Sequence, residues 1–347
     1  MKKLAALTLT FILAICSLTA CGSRAGADGS AQNAGVSGDK IQVVTTIFPE
    51  YDWVMSILGD RADKAEVTML LDNGVDLHSY QPTAQDILKI STCDIFIYVG
   101  GESDGWVDDA LKEAVNKDMQ VINLLEVLGD KVKEEEVVEG MQGEEEEEHE
   151  HEHEDGDEDE EAHEHEEVEY DEHVWLSLKN AQVLCDKIAD ALAAVDAEGA
   201  DVYKKNATDY DDKLAALDAE YKAVVDAASV KTVLFGDRFP FRYLTDDYGL
   251  SYYAAFVGCS AETEASFETV IFLADKTDEL NLPAIMTIEG SDQRIAQTVR
   301  DNTTGKDQKI LTLDSLQSTT SDDVKAGKTY LTVMTDNLTV LKEALNS

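Results

Sequence analysis

Proline is scarce in this chain, with 4 among 347 residues, and cysteine nearly so, with 5. Few prolines leave long helices unbroken. Two cysteines, Cys16 and Cys21, fall in the first 21 residues, and the remaining Cys93, Cys185 and Cys259 form an odd, widely spaced set. That is no disulfide framework, and without a C-x-x-C pair there is no structural zinc site of the ribbon kind. Each of the three reads first as a buried small hydrophobe. Basic side chains are outnumbered as well: 28 Lys and Arg stand against 72 Asp and Glu, a formal net charge of −44. Twenty of the acids lie in residues 144–172, which hold no Lys or Arg, and the chain stays strongly negative without them. Nucleic acid and anionic lipid headgroups are excluded as partners by repulsion. Cations are not.

The N-terminus, "MKKLAALTLTFILAICSLTAC", has two lysines, an apolar run too short to span a membrane as a mature helix, and small residues before Cys21. This is the build of a secretory signal. Its "LTAC" ending resembles a bacterial lipobox, which implies cleavage before Cys21, lipidation of its sulfur and an extracytoplasmic protein held on the cell membrane. Residues 22–40, with almost no apolar bulk, read as a tether. About 300 residues follow, more than one core usually takes. The expected division is a signal peptide at 1–20, a tether at 21–39, a first lobe at 40–202, a linking helix at 203–228 and a second lobe at 229–347. The first lobe includes a His/Glu-rich loop at about 133–170.

Apolar runs alternate with helix-period segments through both lobes. "KIQVVTTIF" (40–48), "AEVTMLL" (65–71), "DIFIYVG" (94–100) and "MQVINLL" (119–125) are expected strands, as are "KTVLFG" (231–236), "YYAAFV" (252–257), "PAIMTI" (283–288) and "KILTL" (309–313). Helical segments lie between them. That alternation predicts an α/β fold of two lobes, each a parallel sheet flanked by helices, joined by one long helix. Ligands of such folds bind outside the carboxyl ends of the strands, so the cleft between the lobes is the expected site.

His78 follows the strand at 65–71, His173 precedes a helix, and Asp314 follows "KILTL" directly. Two imidazoles and a carboxylate at equivalent strand ends suit zinc or manganese. Taken together, "VVTTIFPEYDWVMSILGDRA", "GVDLHSYQPTAQDILKISTCDIFIYVGGESDGWV", "DEHVWLSLKNA" and "LTLDSL" resemble the metal-specific solute-binding proteins of ABC importers, especially the zinc group of ZnuA/AdcA type. The resemblance implies one divalent metal in the cleft, delivery to a membrane permease, a monomer and no enzymatic step. Its motif histidines fall on His78 and His173 and its C-terminal carboxylate on Asp314. A third family histidine falls on Arg238, whose guanidinium has no lone pair to offer. Asp237 is the expected local substitute, with water or, ranked lower, Cys259 as alternatives.

Five of the seven histidines, His149, His151, His153, His163 and His165, lie in "HEHEHEDGDEDEEAHEHEE". Such a run cannot bury a core and reads as a solvated collector of borderline cations, an accessory to the fixed site. Zinc is the expected cargo. The alternatives are a manganese-specific member of the same family, or a surface zinc buffer or adhesin without a transport role. An enzyme of the zinc-hydrolase kind would need an open coordination position and a general base, and outside the alternating run no H-E-x-x-H occurs.

Overall fold

The computed structural model describes residues 40–142, 169–260 and 264–346. Eight strands are found among them: β1 (Ile41–Thr45), β2 (Ala65–Met69), β3 (Ile95–Tyr98), β4 (Gln120–Asn123), β5 (Thr232–Phe239), β6 (Ser251–Val257), β7 (Ala284–Ile288) and β8 (Lys309–Leu313). They form two four-stranded sheets, in the orders β2-β1-β3-β4 and β6-β5-β7-β8. Every pairing is parallel. Parallel sheets are covered by helices on both faces, which is why β3 and β7 are apolar or threonine at every position and buried throughout. The expected two-lobed α/β architecture is therefore what the chain adopts.

The long helix runs from Ala200 to Ala227, 28 residues, a rod of about 42 Å at 1.5 Å per residue. It starts three residues before the expected Tyr203, because the break after the preceding helix is a tight turn in which Gly199 donates its backbone N–H to the Asp196 carbonyl at 3.1 Å. Asn206 Nδ2 donates to the Ile57 carbonyl at 2.9 Å and Tyr221 Oη to the Met334 carbonyl at 2.6 Å, so the rod is fastened to both lobes. One cluster of buried apolar residues continues from Val43 through Trp175 and Tyr221 to Leu345. A smaller one, around Leu234, Leu273 and Ile285, lies in the second lobe.

β5 reaches Phe239, beyond the expected end at Gly236, and its register against β6 shifts between Phe235 and Arg238. Such an irregularity re-aims side chains, and here it governs where Asp237 and Arg238 point.

Candidate metal centre

Both imidazoles are placed by short 3-10 turns. Asp76 Oδ1 accepts the His78 backbone N–H at 3.1 Å and so starts the one-turn 3-10 segment Leu77–Ser79. His173 precedes a similar turn, Val174–Leu176, after which Ser177 Oγ accepts the Asn180 N–H at 3.1 Å and begins the helix Leu178–Val195. Asp171 Oδ1 takes both the backbone N–H of His173 at 2.9 Å and its ring Nδ1 at 3.0 Å. An ionised carboxylate can only accept, so Asp171 holds the proton on Nδ1 and leaves the Nε2 lone pair free.

That lone pair faces His78 Nε2 at 3.2 Å. The His173 side chain is 0% exposed and that of His78 is 7% exposed. Burial first, and the neighbouring His173 second, push the His78 imidazole down to about 3, so it is neutral at physiological pH. Its Nδ1 lies 2.8 Å from Ser103 Oγ. A single proton on His78 Nε2 can bridge the pair, and Nδ1 then accepts from the Ser103 hydroxyl. Tetrahedral zinc with Zn–N bonds of about 2.0–2.1 Å needs nitrogens about 3.3–3.4 Å apart. The spacing is already there.

Among the described residues, one group of side chains offers three metal-ligating atoms within 4.8 Å of one another, and its members are His78, His173 and Cys259. Cys259 follows β6 by two residues. Gly258, between them, packs so closely on His173 that a Cβ there would stand 2.9 Å from the ring's Cε1. Burial, then Glu135, Glu172 and Asp171, hold the thiol far above its ordinary value. Two buried acceptors beside His78 lack regular partners: Glu172 Oε2, 3.5 Å from Nδ1, and Gln317 Oε1.

Asp314 and Asp237 are not brought into that group. The backbone of Asp314 is pinned by Asn337, which accepts its N–H and donates to its carbonyl, and its side chain turns to Lys328 Nζ at 2.8 Å and to the Leu316 N–H. A carboxylate neutralised by an ammonium has little left for a metal. Asp237 lines the same interlobe cavity of about 470 Å³ as His78. Its oxygens accept the backbone N–H groups of Arg238 at 3.0 Å and Ile288 at 3.4 Å. The Arg238 guanidinium is paired with Asp76, the residue that caps the His78 turn. Sequence reasoning missed Asp171, Ser103 and Glu172; the direct adjacency of two acids to His173 in "DEHVW" is the signal that could have found two of them. His149, His151, His153, His163, His165 and Cys21 lie outside the described residues.

The profile of the family described as ZnuA, zinc-uptake complex component A, periplasmic, matches residues 43–344. The chain belongs to this family. A curated relative, the zinc-binding lipoprotein AdcA of Streptococcus pneumoniae serotype 4, is 32% identical, with 99% of this chain and 61% of AdcA covered. The chain thus spans about three fifths of AdcA. The high-affinity zinc uptake system protein ZnuA of Bacillus subtilis is 30% identical, with 96% of each chain covered. Among solved structures, the Zn(II)-bound ZnuA-like domain of S. pneumoniae AdcA aligns at a TM-score of 0.66, with 28% identity over 89% of this chain and all of that one.

Proposed function

We propose that this ZnuA-family chain is an extracytoplasmic substrate-binding lipoprotein, anchored through Cys21, that captures zinc as a monomer between its lobes and delivers it to an ABC-transporter permease. The observation that carries the reading is the pair of buried Nε2 atoms facing each other at 3.2 Å, both from the first lobe, with His78 lining a cavity that Asp237 and Arg238 of the second lobe also line. The similarity to the zinc-binding AdcA and the zinc-uptake ZnuA supports the cargo. The role is that of a carrier: the metal is held and released, and no substrate is transformed.

The His/Glu run is assigned to weak collection beside this site. Its flanks are tethered, since Gln142 N–H donates to the Ala255 carbonyl at 2.9 Å and Tyr170 pairs with Glu134. Deleting residues 143–168 shortens a connection, and length enters closure entropy only logarithmically. Zinc titration of the full chain by calorimetry is expected to show one tight equivalent and several weak ones. The deletion keeps the first and loses the others. Because imidazole must be neutral to ligate, the weak equivalents fade as pH falls through about 6.5. Loss of the tight equivalent on deletion would place the site in the run and refute the reading.

A further inference from the structure

Two histidines do not hold zinc against water alone, and the two carboxylates expected to help, Asp314 and Asp237, are occupied. Asp237 is spent on two backbone amides, and Arg238, which brings no lone pair, serves instead as a strut between the lobes, clamping the Asp76 that caps the His78 turn. Glu172 Oε2 and Gln317 Oε1 lie unpartnered beside His78, but among the described His, Cys, Asp and Glu side chains Cys259 is the one that groups with both imidazoles. We propose that Cys259 Sγ is the third protein ligand, making this a His-His-Cys thiolate site selective for zinc over harder divalent ions. The inference rests on the zinc-capture reading above and specifies its ligand set.

Three independent features converge on this assignment. The sulfur and one ring nitrogen of each histidine lie within 4.8 Å of one another, against roughly 3.6 Å expected between ligands of a tetrahedral zinc with Zn–N near 2.0 Å and Zn–S near 2.3 Å. A small shift of the 258–260 turn closes the difference. Glycine at 258 lets that turn lie against the His173 ring, where any side chain would hold the sulfur away. The backbone N–H of Glu172 is in reach of the sulfur and stabilises the charge it carries once metal-bound.

Binding is balanced by one proton. Zinc takes the sulfur lone pair as the S–H bond breaks, and the proton passes to Glu135, whose Oε1 already accepts the Cys259 backbone N–H at 3.3 Å. Three protein donors leave a tetrahedral ion one open position. A carrier needs such a position, because release proceeds by ligand exchange. Thiolate softness favours zinc and disfavours manganese, which prefers oxygen.

Cobalt(II) reports the sulfur directly, through a sulfur-to-cobalt charge-transfer band in the near ultraviolet. The His/Glu run contains no sulfur, so its weak sites stay silent in that band. The full chain loaded with one equivalent of Co(II) is expected to show the band. Cys259→Ser abolishes it, weakens zinc about 100-fold or more and narrows the preference for zinc over manganese. Cys259→His restores affinity without the band. A Cys259→Ser protein with wild-type zinc affinity, or one that keeps the band, overturns the assignment. His173→Ala measured alongside separates the two levels: if it loses zinc while Cys259→Ser does not, the cleft reading stands and the thiolate falls; if neither loses zinc, both fall.

Discussion

His173→Ala loses the tight zinc equivalent, with affinity falling by roughly two to three orders of magnitude. Zinc sites of three or four protein ligands hold the ion with about 10–16 kcal/mol, so each ligand carries on the order of 3–4 kcal/mol, and each 1.4 kcal/mol is tenfold. His173 is the more committed of the two imidazoles, being 0% exposed and anchored to Asp171 by both ring and backbone. The substitution leaves the Asp171 carboxylate and the Nε2 of His78 without their partner, and nothing else in the group supplies a second nitrogen. His78→Ala gives a comparable loss from the other side of the pair. Calorimetric titration, with circular dichroism to show a retained fold, measures both. A wild-type constant in either variant removes that histidine from the site.

Trp175→Ala costs about 3–5 kcal/mol of stability, the range for deleting a fully buried large aromatic. Trp175 is 0% exposed and sits where the lobes meet. Its Nε1 donates to the Ser315 carbonyl at 2.9 Å, and its own carbonyl accepts the Tyr330 hydroxyl at 2.6 Å. The indole also packs on the His173 ring, with centroids 5.2 Å apart. Removing it therefore opens a void, orphans a carbonyl of the second lobe and frees one ligand to tilt. Urea unfolding should show a lower midpoint at an unchanged slope, and zinc binding in the folded protein should weaken less than in His173→Ala. A stability loss under about 1 kcal/mol would mean the ring is not the fastening between lobes that its contacts describe.

Much of the fold was legible because buried parallel strands are written as continuous apolar runs. "DIFIYVG" and "PAIMTI" yield β3 and β7 to within two residues at either end. β5 was read short because Asp237 and Arg238 are polar, and only the register shift in the folded sheet shows how strand geometry tolerates them. The two histidines stood out through the family motifs rather than through their positions alone, and the fold brings their rings together. The direction of Asp314 was not legible: it depends on Lys328 and Asn337, 14 and 23 residues away in sequence, and no local pattern encodes that pairing. Cys259 shared the strand-end signal of His78, but a single cysteine carries no spacing, and its weight comes from distances that only the tertiary fold provides.

The central claim is that one zinc ion is held between His78 Nε2 and His173 Nε2. It is tested most directly by crystals of the zinc-loaded full chain, with diffraction measured on both sides of the zinc absorption edge. The account predicts one dominant anomalous peak within about 2.0–2.1 Å of both atoms. A dominant peak placed elsewhere, against Asp314 or with neither imidazole in its shell, would contradict it.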